Sequence, residues 1–171
     1  MKKNNTFTVQ FIAQAAMIAA IYVVLTLVFA PFSYGEVQVR LSEALTILPM
    51  FTPAAIPGLF IGCLLSNILG GCIVPDIVFG STATLIGAFG TYLFFGPKTK
   101  YHANKLLAPL PPIIANALIV PFILKYGYQV PFSIPFLMLS VGIGEIISCG
   151  ILGTVIRLAL EKYKNVLFKP A

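Results

Sequence analysis

From Leu41 to Leu69 the chain runs almost unbroken through apolar residues. One helical crossing of a bilayer takes about 20 residues, so this stretch is too long for a single span. Pro49, Pro53 and Pro57 cut it. Proline removes a backbone donor and breaks or kinks a helix. The groups it frees must be satisfied by protein or water, because lipid offers no partner. The pattern predicts a short helix over about 41–51 and a second over about 54–70, with a tight turn at Thr52-Pro53. A soluble globule is excluded: only 9% of residues are charged and the mean hydropathy is +0.97, against about 25% charged residues in soluble domains.

The other apolar runs read as single spans. The first covers about Phe7–Ala30 and stops before Pro31. Gly70-Gly71 ends the third helix, and Pro75 opens a fourth that reaches about Phe95. A fifth spans roughly Leu106–Lys125 with Pro109, Pro111 and Pro112 in its first turns, and a sixth runs from about Pro135 to Lys162. The expectation is an all-α membrane protein of six transmembrane helices with a short second helix, forming one integral domain over residues 1–171. Lys2 and Lys3 precede an apolar run longer than a signal-peptide core, with no small-x-small cleavage site. Six spans put both ends on one side. Nine basic residues (Lys2, Lys3, Lys98, Lys100, Lys105, Arg157, Lys162, Lys164 and Lys169) fall on that side, and two, Arg40 and Lys125, on the other. The positive-inside bias predicts a multi-pass protein of the cell membrane with both termini cytoplasmic. The net charge of +6 follows from this asymmetry; no basic patch interleaved with aromatics points to nucleic acid.

Most familiar chemistries find no support. Gly96-Pro97-Lys98-Thr99 lacks the upstream glycine of a phosphate loop, and Pro97 separates its glycine from its lysine. His102, the sole histidine, lies among lysines in the Gly96–Lys105 loop, where a solvated role is expected. Cys63, Cys72 and Cys149 have no Cys-x-x-Cys spacing and read as packing residues. No catalytic residue, metal site or cofactor is expected, and the chain is not read as an enzyme.

What remains is a set of polar groups at defined depths. Glu36, Gln38, Arg40 and Glu43 sit at the outer end of the second helix, Asn67 near the outer end of the third, and Asp76 at the start of the fourth. Asn116 and Glu145 lie deeper, each about ten residues from its helix end, or roughly 15 Å. Ionisable groups in a membrane span are costly and mark function by default. Simpler roles stay open. Arg40 and Glu43 have the i, i+3 spacing of a helix-end ion pair. Asp76 follows Pro75 in a first turn, where a carboxylate offsets the helix dipole. Asn67 and Asn116 have the character of interhelical hydrogen-bonding residues. Glu145, flanked by Gly142 and Gly144, is the strongest binding candidate. Acidic and amide groups converging from one side describe a binding cup, not a proton wire, since the inner halves of the helices are apolar. Stripes at Gly58/Gly62/Ser66 and Ser140/Gly144/Ser148 are expected to pack helices within the chain.

The run Tyr34-Gly35-Glu36-Val37-Gln38-Val39-Arg40-Leu41-Ser42-Glu43-Ala44-Leu45-Thr46, followed by Leu48-Pro49, resembles the signature of the QueT family. These are membrane-embedded substrate-binding subunits, or S components, of energy-coupling factor (ECF) transporters. The resemblance implies an S-component-like bundle and a queuosine precursor as substrate, a 7-deazaguanine base or queuine. It implies as partners a scaffold membrane protein and two cytoplasmic ATPases. It also implies an Ala-x-x-x-Ala pair on the first helix that packs on the scaffold; Ala15/Ala19 and Ala16/Ala20 both fit. The polar groups singled out by depth, taken with this signature, give an expected substrate site of Gln38, Arg40, Glu43, Asn67, Asp76, Asn116 and Glu145. The residue chemistry agrees: a carboxylate accepts a ring N–H and an exocyclic amine side by side, and an amide can serve another edge. Tyr34, Phe32 and Phe79 offer faces for stacking. An S component for another vitamin-like solute, an intramembrane enzyme acting on lipid, and a structural assembly subunit are the competing readings.

Overall fold

A computed structural model describes residues 9–33, 39–99 and 104–167 of the chain. Every element among them is helical. The six main helices are α1 (Val9–Val28), α2 (Leu41–Met50), α3 (Ala55–Leu69), α4 (Asp76–Phe95), α5 (Lys105–Gly127) and α6 (Ile134–Tyr163), the last continuing helically to Leu167. Each lies within a few residues of its sequence expectation. Four of them, α1, α4, α5 and α6, are long and apolar enough to cross a membrane by length and composition.

The prolines explain the boundaries. Pro57 sits in the first turn of α3, where its missing N–H is an orphan donor anyway. Pro121 removes a donor inside α5, and the helix widens to π geometry over Ile123–Gly127. Two further π stretches begin at Asp76 and directly after Glu145, at Asp76–Gly80 and Ile146–Leu152. Single π turns are rare and recur at functional positions.

The second helix differs from an ordinary short α-helix. It is a 3-10 helix of ten residues, although such runs rarely exceed 3–4. Two local features favour the tighter winding. Pro49 has no N–H to give. The Glu43 carbonyl is claimed by a side chain: Thr46 Oγ1 donates to it at 2.6 Å. Nine of its ten residues are buried, because α1, α3, α4 and α6 all pack against it. It is the bundle's central post.

Glycines set the spacing of its neighbours. A Cβ on Gly58 would lie 2.7 Å from the Ala15 carbonyl, and one on Gly62 would lie 2.8 Å from Tyr22 Cβ and 3.1 Å from Ala19 Cα. Thus Ala15 and Ala19 are buried against α3, while Ala16 and Ala20 are exposed. Gly87 and Gly90 make the same close approach to Pro112 and Pro111 between α4 and α5. Replacing Gly62 by valine is expected to cost about 1–3 kcal/mol, the range for overpacking, read as a lower unfolding temperature in detergent. Gly142→Ala, whose Cβ would meet nothing closer than Ala117 at 4.0 Å, should stay within about 0.5 kcal/mol of the parent.

Candidate functional site

Polar side chains gather around the N-terminal end of α2 in two tiers. The rim tier joins three segments. Arg40, just before α2, lies 3.7 Å from Asp76 Oδ2 at the start of α4. Tyr128, beyond the end of α5, donates to the same oxygen at 3.0 Å. Burial, reinforced by the Asp76 carboxylate, raises the pKa of Tyr128 and keeps the phenol a donor. Asn67 Nδ2 donates to the Asp76 carbonyl at 3.4 Å. Asp76 Oδ1 is buried with no hydrogen-bond partner among the described residues. A Cβ on Gly80 would come within 2.8 Å of it.

The core tier centres on Glu43, which is 1% exposed. Its Oε1 accepts from the Tyr22 hydroxyl of α1 and, at 2.9 Å, from Thr84 of α4. Its Oε2 accepts from Asn116 Nδ2 of α5 at 3.4 Å. Glu145 of α6 lies close to Glu43, and its Oε2 accepts from the Cys149 thiol at 3.0 Å. Five helices therefore meet at two carboxylates. Cys63 joins the tiers: its sulfur lies 3.4 Å from Thr84 Oγ1 and accepts from Asn67 Nδ2 at 3.7 Å. Glu43, Glu145 and Cys149 offer ligand atoms within 4.8 Å of one another, close enough for a cation to bridge. Glu43, however, is already served by three protein donors, and the Cys149 thiol is itself a donor. The arrangement suits an organic ligand that brings hydrogen-bond donors. Isolated buried carboxylates are expensive in low dielectric, so a donor-rich occupant is the natural complement of the site.

Family comparison bears on what that occupant is. The family model described as QueT transporter matches residues 12–162. The chain belongs to the QueT transporter family. A curated relative, the queuosine precursor transporter QueT of Lactococcus lactis subsp. cremoris (strain MG1363), is 36% identical over 106 residues, 61% of this chain and 61% of that one. The aligned part thus spans less than two thirds of the relative's length. No solved structure matches the chain. The family and this relative are transporters, not enzymes, and the four long apolar helices make this QueT-family chain a multi-pass membrane protein.

Against this geometry the sequence expectations divide. Glu43, Asn116 and Glu145 do come together, while Arg40, Asn67 and Asp76 form a separate tier above them. Arg40 pairs with Asp76, not with Glu43 one turn along. Phe79 does not face the cluster: it is 56% exposed and lines an outward groove with Phe122 and Tyr126. Gln38, Glu36, Tyr34 and His102 lie outside the described residues, as does the side chain of Phe32. Four contributors went unnoticed: Tyr22, Thr84, Cys149 and Tyr128. Cys149 could have been found, being one turn from Glu145 and hence on the same helix face. Tyr22 and Thr84 carried no local signal, because their partner lies 21 and 41 residues away in sequence.

Proposed function

We propose that the chain is the substrate-binding S component of an ATP-driven ECF importer, taking up a queuosine precursor, a 7-deazaguanine base or queuine, from outside. Membership of the QueT transporter family and the printed substrate of the Lactococcus relative support this substrate class. The observation that carries the reading is the burial of Asn116 and Glu145, 4% exposed each, beside Glu43 in an apolar bundle. Glu145 accepts the ring N–H and exocyclic amine of the base, and Asn116 serves the same donor-rich edge. Arg40, Asn67 and Asp76 close the rim above, and Gln38, two residues before Arg40 in sequence, is assigned to the same site. Energy comes from partners, a scaffold membrane protein and two cytoplasmic ATPases, since the chain has no phosphate loop.

The test is uptake. Cells unable to make the queuosine base, given this chain together with a scaffold and two ATPases, should import added queuine or a smaller 7-deazaguanine. Uptake that proceeds undiminished without the ATPases would refute the ECF assignment.

All six helices cross or enter the bilayer in this reading, with both termini and the Lys98–Lys105 loop cytoplasmic. The nine-to-two distribution of basic residues supports that orientation. A cysteine placed at Lys98 should react with a membrane-impermeant maleimide, above the background of the parent chain, only in inside-out vesicles. Reaction only in right-side-out cells would invert the topology.

A further inference from the structure

Asn116 Nδ2 donates to Glu43 Oε2 at 3.4 Å. A carboxamide beside a carboxylate turns its nitrogen to it, because its oxygen would face the carboxylate's lone pairs. Oδ1 is then the atom left for a ligand. Glu43, for its part, is held from the far side: the Tyr22 and Thr84 hydroxyls both donate to its Oε1. Tyr22 is fully buried and Thr84 is 1% exposed, so these donors exchange with no solvent.

We propose that Asn116 reads the ligand through its amide oxygen, and that Glu43, pinned by Tyr22 and Thr84, is the positioning residue that turns it that way. The inference rests on the core tier being the deazaguanine site. Glu145 and Asn116 then present only acceptors to the ligand. That selects an edge made of donors, such as the ring N–H and exocyclic amine of a 7-deazaguanine, over 7-deazahypoxanthine, which lacks the amine. Glu43 sets this preference without touching the base.

Glu43→Gln tests the assignment. Because Tyr22 and Thr84 converge on one oxygen, the new amide oxygen settles on their side and the new amide nitrogen faces Asn116. Asn116 must answer with its own oxygen and turn its nitrogen toward the ligand. Calorimetry on the purified full chain should then show affinity for 7-deazaguanine reduced about 10- to 100-fold, and the preference over 7-deazahypoxanthine nearly lost. Adding Asn116→Asp restores an acceptor on both sides and should recover most of the affinity and the preference. A role confined to stability would move the melting temperature and leave the preference alone. Glu43→Gln binding both bases as the parent does, or a double substitution that recovers nothing, overturns the proposal. If Glu43→Gln does not fold, Asn116→Ala carries the test: the preference should collapse, and an unchanged preference overturns the proposal. A parent chain that binds neither base refutes the functional reading and this inference together; a parent that binds leaves the variants to judge the inference alone.

Discussion

Glutamine at position 145 should weaken binding of a 7-deazaguanine base by about 30- to 150-fold, or ~2–3 kcal/mol, the scale of a charged hydrogen bond. The substitution keeps the shape of the side chain and replaces one acceptor by a donor, which meets the N–H edge of the base head-on. Among the described residues no salt bridge reaches Glu145; Arg40 pairs with Asp76 and Arg157 with Glu161. Its side chain accepts from the Cys149 thiol at 3.0 Å, a weak donor. The fold should survive, because a neutral amide is cheaper to bury than a carboxylate. Calorimetry and a melting curve on the same sample decide it. Parent-like affinity with parent-like melting would make Glu145 structural and move the anchor to the rim, to Asp76.

The second large effect separates binding from transport. Leucines at Ala16 and Ala20 should abolish uptake by the assembled importer and leave base binding by the isolated chain unchanged. Both alanines are exposed on α1, while Ala15 and Ala19 are buried against Gly58 and Gly62. Only the first pair can form a small-residue face for a partner helix, the kind of surface that lets helices approach in lipid. Leucines at Ala15 and Ala19 should instead lower thermal stability and binding together. If the Ala16/Ala20 variant loses binding as well, that face packs within the chain's own structure and the docking surface lies elsewhere.

The order and approximate ends of the helices were legible in the sequence because prolines and glycines punctuate the apolar runs. Pro53, Pro57, Pro75 and the Gly70-Gly71 pair each act on the local backbone, and local effects can be read locally. The winding of α2 could not be read this way. It is packed on four other helices, α1, α3, α4 and α6, and those contacts are not local. The site was half legible for the same reason. Carboxylates and amides stand out against an apolar chain, so Glu43, Asp76, Asn116 and Glu145 were found. Their division into tiers was not, since Arg40 has carboxylates within reach both along its own helix and across the bundle. The crossing partner won: Asp76 lies 3.7 Å away, while Glu43 is held inward by Tyr22, Thr84 and Asn116. The choice between the two alanine registers on α1 likewise needed the structure, because both pairs have the same spacing and only contact with α3 distinguishes them.

The most direct measurement is calorimetric titration of the purified chain, without partners, with queuine and with smaller 7-deazaguanine bases. A buried cluster of acceptors built to receive a donor edge should give saturable one-to-one binding, displaced by one base when another is already bound and lost on replacing Glu145 by glutamine. No heat with any of these bases, or binding that ignores the identity of residues 116 and 145, would contradict the assignment of the Glu43–Asn116–Glu145 cluster as the substrate site.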